Sequence, residues 1–398
     1  MSATIKGAAT ELGTERIRKL LMQYAVPAII AMTASSLYNM VDSIFIGHGV
    51  GPLAISGLAL TFPLMNLAAA FGSLVGVGAA TLVSMRLGQR DYETAQRILG
   101  NVVVLNLIIG ISFGLLTLVF LDPILYFFGA SDATIGYARE YMSVILWGNV
   151  VTHMYLGLNA VLRAAGHPRK AMYATILTVT INAILDPLFI FVFHMGMAGA
   201  ALATITGQIL SFALVVLYLR GFKTLPLSLS DLKPKIACWA RIAALGATPA
   251  FNQVAMMVVQ IVMNNTLTYY GSNSVYGSDI PLACAGIISK VNMLFFSFVI
   301  GISQGLQPIV SFNFGAQKYD RVKDAYKKAV FAATAISIVA FLCFQLFPRQ
   351  IIGIFGSGSE EYLHFAERYF RIFLFFTFLN GIQPVSSNFF TSIGAPKK

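Results

Sequence analysis

The hydrophobic positions of this chain fall into ten long apolar runs that are separated by short polar segments. A helix of about twenty apolar residues crosses a bilayer, and in lipid only a helix satisfies every backbone group of such a run. The pattern therefore predicts ten transmembrane helices, several of them long enough to tilt or bend. The predicted spans are 20–47, 53–85, 98–121, 135–162, 171–193, 199–219, 242–270, 281–312, 329–348 and 362–393.

The overall composition supports a membrane protein. Hydrophobic residues make up 57% of the chain and charged residues only 11%, whereas soluble domains carry roughly a quarter of charged residues. The three cysteines form no CxxC pair, so we interpret them as small apolar core residues and predict no metal site that uses them.

Lysine and arginine predict the orientation. If the N-terminus is cytoplasmic, 22 of the 27 basic residues fall in inner segments, as the positive-inside rule requires. Topology therefore explains the net charge of +11. The basic residues are scattered between apolar runs and form no single patch, which argues against nucleic-acid binding.

The two halves of the sequence repeat each other. The segment GAATLVSMRLGQRDY corresponds to GLQPIVSFNFGAQKY, which pairs Gly88 with Gly315 at an offset of 227. Three further pairs keep the same order at similar spacing: AVPA with ATPA, YAREY with FAERY, and AAGHPRK with SIGAPKK. Six spans per copy make the copies parallel, which is a transporter architecture.

The repeat predicts an all-α integral membrane protein of two six-helix bundles. Residues 1–222 would form an N-lobe with six spans, residues 223–241 a cytoplasmic linker, and residues 242–398 the first four spans of a C-lobe. Twelve helices are expected for the complete pattern and about ten are present, because the counterparts of the fifth and sixth spans would lie beyond Lys398. A protein that has ten helices by design is the alternative.

Two acids lie deep within the predicted spans, Asp42 and Asp186. A charge at mid-bilayer is costly, so such an acid is expected to face a cavity and to mark a functional site. Asn182 precedes Asp186 by four residues and shares its helix face. Carboxylates of this kind can bind and release a proton. We therefore predict an ion-coupling site, with a sodium ion as a possible occupant, at Asp42, Asn182 and Asp186.

Prolines accompany both acids. Pro27 lies in the span of Asp42, and Pro187 follows Asp186 directly. A proline removes one helix hydrogen bond, so we hypothesise that both helices bend here. The alternative is that these prolines have no special role, since prolines are common in transmembrane helices.

Other polar residues are weaker candidates for the same cavity. Tyr38 lies one turn before Asp42. From the residues alone, Asn159 and Thr204 are better explained as side chains that hydrogen-bond a neighbouring helix. In the second half, Lys290 lies within a predicted span, where it either lines a polar cavity or extends toward the membrane surface.

These motifs together resemble the MATE family, the multidrug and toxin extrusion transporters. The segments that carry the resemblance, in order, are YAVPAIIAMTASSLYNMVDSIFIGHGVGPLAISGLALTFPL, GAATLVSMRLGQRDYETAQRILGN, LRAAGHPRKAMYATI and INAILDPLFIF. The first half contains the acids Asp42 and Asp186, and the seventh span contains no acid. This distribution resembles that of the DinF-like branch, which includes MepA-type proteins.

The resemblance implies a V-shaped bundle of twelve helices in a bacterial inner membrane, and not an enzyme. It implies export of cationic amphipathic compounds by proton or sodium antiport, with no cofactor besides the ion gradient. It also implies a cavity lined by Tyr38, Asp42, Asn159, Asn182, Asp186 and Thr204. Expected partners are small cationic substrates and membrane lipids, and a monomer is expected.

Two rival functions remain open at this point. A flippase for lipids or lipid-linked sugars shares the broad architecture, but its phosphate-bearing substrates would favour a cavity with clustered Lys and Arg. An intramembrane aspartyl protease could also use two buried aspartates that share one proton. However, the sequences around Asp42 (NMVDSI) and Asp186 (AILDPL) lack the glycine-rich aspartate motif of such proteases. No nucleotide-binding loop is present, which argues against direct ATP coupling.

Overall fold

The computed structural model describes residues 8–221, 228–275, 279–354 and 360–395, and these ranges are almost entirely helical. Two groups of helices follow the two sequence repeats. The N-lobe comprises α1 Ala8–Glu11, α2 Ile17–Gly49, α3 Pro52–Gly88, α4 Tyr92–Val119, α5 Leu121–Phe127, α6 Ile135–Trp147, α7 Asn149–Ala164, α8 Pro168–Pro187 and α9 Gly196–Arg220. The C-lobe comprises α10 Ile236–Ser272, α11 Asp279–Gly315, α12 Tyr319–Leu346, α13 Pro348–Ile354, α14 Glu360–Phe373 and α15 Ile382–Ser392.

Eight of the described helices are long and apolar enough to cross a membrane, and the bent pair α6 and α7 forms a ninth candidate. The predicted fourth span is therefore broken, with an angle of 56° between its two parts. The break falls at Gly148, where an added Cβ would lie 2.2 Å from the Ile205 side chain of α9. Close packing of α9 against this glycine accompanies the bend.

The predicted tenth span, 362–393, differs from a single helix. It consists of α14, a 3₁₀ segment Phe375–Leu379 and α15. The physical reason lies in α14, where Glu367 pairs with Arg349 and Arg371. Because charged pairs favour an aqueous surface over lipid, the apolar part of this run begins only near the end of α14.

The chain runs between two faces of the bundle. We call the face that holds α1, the α3–α4 loop and residues 228–235 the linker face, and the opposite face the far face. Helices α2 and α10 begin at the linker face, while α3 and α11 end there. Helix α2 packs along α11, and α3 packs along α10, so that each lobe contributes one helix to each contact.

Glycines make this interlobe contact symmetric. A Cβ on Gly78 of α3 would lie 2.0 Å from the carbonyl oxygen of Ile242 on α10. A Cβ on Gly305, the repeat counterpart of Gly78, would lie 2.5 Å from the backbone nitrogen of Ala25 on α2. Since real Cβ atoms do not approach so closely, only glycine permits these backbone contacts. We call the set of interlobe backbone contacts the glycine seam.

The loops at the linker face preserve the same symmetry. Gly88 and Gly315 each approach the other lobe so closely that a Cβ would lie 2.1 or 2.2 Å from a carbonyl oxygen. Just beyond them, Arg90 and Gln317 both adopt positive φ angles, 61° and 58°. Both pairs are separated by the offset of 227 found in the sequence. The parallel repeat is therefore present in the backbone conformation as well as in the amino-acid sequence.

The segment after α1 also joins the lobes at the linker face. The carbonyl oxygen of Leu12 accepts hydrogen bonds from Asn313 Nδ2, at 2.9 Å, and from the Arg321 guanidinium, at 3.1 Å. Lys318 Nζ donates to the Gly13 carbonyl at 2.7 Å. These bonds tie the start of the N-lobe to the end of α11 and the start of α12.

The lobes separate toward the far face. Ser36 on α2 and Ser297 on α11 form a hydrogen bond of 2.7 Å about midway along the two helices. Ser297 is 4% exposed, whereas Met293, one turn closer to the far face, is 45% exposed. The seam thus holds the linker-side halves together, and a cleft opens between the far-side halves.

The glycine seam generates a stability prediction. Gly246→Ala would place a Cβ 1.8 Å from the Leu74 carbonyl oxygen, so the lobes must move apart at a cost of about 1–3 kcal/mol. We expect a clearly lower apparent Tm in detergent, measured by fluorescence-detected size-exclusion chromatography after heating.

Gly286→Ala is the matched control for this prediction. Gly286 also lies inside a long C-lobe helix, and a Cβ there would meet nothing within 4 Å. Alanine is a better helix former than glycine, so this variant should equal or exceed the wild type in Tm. Equal effects of the two substitutions would contradict a tight seam.

Candidate functional site

The structure brings the two predicted aspartates together inside the N-lobe. Asp42 lies on α2 and is 7% exposed, and Asp186 lies at the end of α8 and is fully buried. Their carboxyl groups are close enough to interact directly. We call these two residues the acid pair. The residues are 144 positions apart in sequence, so only the packing of α2 on α8 unites them.

The helix that carries Asp186 changes type at this point. Helix α8 ends at Pro187, and a π-helical segment, Leu188–Val192, follows at once. Proline has no N–H to donate, so the regular hydrogen-bond ladder is interrupted here. Single π-helical turns occur frequently at functional sites. The change of helix type therefore falls directly beside the acid, while bending of this helix at Pro187 stays a prediction.

Tyr38 and Asn182 lie beside the acid pair. The Tyr38 hydroxyl donates a hydrogen bond of 2.9 Å to Asp186 Oδ2. Asn182 is 2% exposed and packs against Gly207 of α9, where a Cβ would lie 2.6 Å from Asn182 Oδ1. Gly207 therefore makes room for the amide next to the carboxylates.

Thr204 and Tyr141 complete this group. The Thr204 side chain interacts with the hydroxyls of both Tyr38 and Tyr141. Tyr141 on α6 is 2% exposed and lies close to both aspartates. Tyr141 was not among the site residues predicted from the sequence. Its only signal was its position in the repeat marker YAREY, which indicated no chemistry.

Three buried oxygens of the site lack a hydrogen-bond partner among the described residues. They are Asp42 Oδ1, Asn182 Oδ1 and Asp186 Oδ1. Buried polar atoms are normally satisfied, so an orphaned cluster indicates a missing donor or cation. Oxygen-only ligands with carboxylate charge match the preference of hard cations. The donor set therefore suits a proton or a sodium ion.

Asn159 lies away from the acid pair. Its Nδ2 contacts Thr175 Oγ1 at 3.2 Å, and the Tyr155 hydroxyl reaches the same oxygen at 3.1 Å. Thr175 precedes Asp186 by eleven residues on α8, which corresponds to about 16 Å along the helix axis. The structure thus places Asn159 closer to the linker face than the other five predicted cavity residues.

Pro27 belongs to the seam rather than to the acid site. It is buried in the linker-side half of α2, which continues as one helix from Ile17 to Gly49. The helix is not interrupted at Pro27 in this conformation, so a functional bend at this proline stays a prediction. A cavity of about 460 Å³ lies at the linker face, and neither acid lines it.

Fold and site together define a class of protein. Two parallel-repeat helical lobes, with a carboxylate site buried inside one lobe, are the arrangement of a secondary transporter. The MatE family model matches residues 27–188 and 250–398, one match in each lobe and most of the chain in total. The chain belongs to the MatE family.

Curated relatives and solved structures agree with this assignment. The chain is 29% identical to the multidrug export protein MepA of Staphylococcus haemolyticus over 346 residues, which cover 86% of this chain and 75% of the relative. It is 26% identical to MepA of Staphylococcus aureus over 365 residues, or 92% and 79% of the two chains. The MepA-like branch expected from the acids is therefore confirmed.

The fold is also confirmed by a solved structure. An outward-facing multidrug resistance MATE family transporter of the MOP superfamily superimposes with a TM-score of 0.90 at 24% identity. The match covers 98% of this chain and 86% of that chain.

The hydrogen bond to Asp186 generates a prediction for Tyr38→Phe. The substitution removes the described donor to Asp186 Oδ2 and should destabilise the protein by about 1 kcal/mol or more. Tyr173→Phe is the control, because Tyr173 is 53% exposed on the same helix as Asp186. Thermal unfolding in detergent should show a lower Tm only for Tyr38→Phe. A Tm loss of the same size in the control would show that the bond adds no stability.

Proposed function

We propose that this protein is a secondary multidrug efflux transporter that exports cationic amphipathic compounds in exchange for protons or sodium ions. The observation that carries the proposal is the acid pair with its three unpartnered oxygens, from Asp42, Asn182 and Asp186. The relatives that match most of the chain are multidrug export proteins by name. The family and the site chemistry therefore point in the same direction.

The acid pair offers a coupling device. Two buried carboxylates that are both ionised repel each other, and each charge is costly away from water. A bound proton or sodium ion relieves this repulsion and can shift the balance between two conformations. Coupling follows if the ion and the cationic substrate favour different conformations or compete for the same carboxylates.

The seam indicates how the cycle would move. The lobes are joined at the linker face and apart at the far face, so this conformation would release substrate on the far side. The opposite conformation requires the glycine seam and the bonds to Leu12 and Gly13 to open. Helix α2 carries both the seam contact at Ala25 and the acid Asp42. Pro27 lies between these two residues. A bend there would let ion binding move the far-side half of α2 without moving its linker-side half.

Topology completes the proposal. The positive-inside distribution would put the N-terminus and the linker face in the cytoplasm. The relatives are bacterial proteins, so the membrane of the proposal is the bacterial cytoplasmic (inner) membrane. The protein would then act as a monomer among membrane lipids, without nucleic acid or an organic cofactor. An ion gradient would supply the energy.

The two rival functions are weaker. A lipid or lipid-linked sugar flippase needs a cationic site for phosphate, but the residues that surround the acid pair are Tyr38, Tyr141, Asn182 and Thr204. An aspartyl protease would use the same carboxylates, yet it explains neither the two-lobed repeat nor the MatE match. Incubation with a transmembrane peptide should give no cleavage.

Asp42→Asn tests the coupling role. In inverted membrane vesicles, gradient-driven dye transport should fall at least about tenfold, within the usual range of coupling free energies. Asp122→Asn is the control, because Asp122 is half exposed near the far face and pairs with Arg139 at 2.7 Å. It should transport normally. If Asp42→Asn transports dye as well as the wild type, the acid pair does not couple transport.

The coupling ion needs a separate test. Dye transport in wild-type vesicles is measured with a pH gradient alone and with a sodium gradient alone. A sodium-coupled protein should also gain Tm on addition of sodium, since a ligand that binds only the folded state stabilises it. Transport that responds to neither gradient would refute antiport altogether.

A further inference from the structure

Lys290 lies deep within a C-lobe seam helix, and the proposed cycle does not use it. On α10 and α11 it is the only Lys, Arg, Asp or Glu that lies more than two turns from a helix end. It is exposed, and among the described residues it forms no hydrogen bond or ion pair. A charged residue within a membrane-spanning segment is costly and marks a functional site by default.

The helix geometry directs Lys290 toward α2. Ser297 and Gly301 of α11 contact α2, at Ser36 and at Ile29 respectively. Lys290 precedes Ser297 by seven residues, which is almost two full turns, so it lies on the same side of the helix. It lies about 10 Å closer to the far face than Ser297.

At that level the two helices have already separated. The exposed fraction of the side chains on this side of α11 rises from 4% at Ser297 to 45% at Met293. Lys290 lies about one further turn toward the far face. Lys290 therefore belongs to the C-lobe wall of the open interlobe cleft. A cation in this position meets whatever molecule occupies the cleft.

The acid pair does not neutralise this cation. Asp42 is six residues after Ser36 on α2, which rotates it by about 120° away from the side that faces α11. Both acids are buried inside the N-lobe, and Asp186 accepts its hydrogen bond from Tyr38. The two lobes thus carry opposite charges at separate places: the acids lie inside the N-lobe, and Lys290 lies in the cleft.

We propose that Lys290 binds the carboxylate of zwitterionic amphiphiles in the interlobe cleft and thereby extends the substrate range beyond simple cations. The apolar body would pack on Met293 and the neighbouring exposed side chains, while the carboxylate pairs with the Lys290 ammonium. This inference rests on the proposed export function, because it assigns a substrate class to the same transport cycle.

Two dyes that differ in one group test the inference. Rhodamine 19 carries a free carboxylate and is zwitterionic, and rhodamine 6G is its ethyl ester and is a cation. Binding of each dye to the purified protein in neutral detergent is measured by fluorescence polarisation. Lys290→Met should raise the Kd for rhodamine 19 about three- to fivefold, as expected for one partly solvated ion pair. The Kd for rhodamine 6G should change less than twofold.

Two further variants act as controls. Lys290→Arg keeps the charge and should keep most of the affinity for rhodamine 19. Lys323→Met removes an exposed lysine at the linker face and should change neither Kd. Wild-type protein gives a check that needs no variant: added salt should weaken binding of rhodamine 19 more than of rhodamine 6G, since salt screens an ion pair.

The outcomes separate this inference from the proposed function. If the wild type binds rhodamine 6G but not rhodamine 19, or if Lys290→Met alters both dyes equally, the role of Lys290 is refuted and export of cations is not. If the wild type binds neither dye and vesicles transport neither, the proposed function itself fails.

Discussion

The glycine seam, where helices of the two lobes touch through backbone atoms, sets the arrangement of the whole bundle. Gly78 and Gly305 bring helices of opposite lobes so close that a single Cβ would collide with the partner backbone. Lipid offers no hydrophobic drive for helices to associate, so small residues and close van der Waals packing must supply it. The seam therefore fixes which end of the bundle is closed.

Helix α2 links this seam to the chemistry of the site. Its linker-side half packs on α11 around Ala25, while its far-side half carries Tyr38 and Asp42 into the N-lobe. The same helix thus carries one member of the acid pair and contributes to the interlobe contact. In the proposed cycle, α2 would supply the physical connection between ion binding and lobe movement.

The two lobes share a backbone pattern but differ in their polar chemistry. Counterparts such as Arg90 and Gln317 keep the same backbone conformation with different side chains. The acids reside in the N-lobe, and the isolated cation Lys290 resides in the C-lobe. The repeat therefore conserves the packing that lets the lobes fit together, while the polar residues are free to specialise in one lobe.

Hydropathy and the cost of buried charge are local properties, so the amino-acid sequence was enough to predict the membrane class, most of the spans, the parallel repeat and two acids buried within spans. Features that depend on contact between distant segments became visible only in the folded chain. The tertiary structure united the acid pair, added Tyr141, separated Asn159 from the pair and broke the fourth and tenth predicted spans. Helix packing decides these features, and no local pattern records which helices will meet.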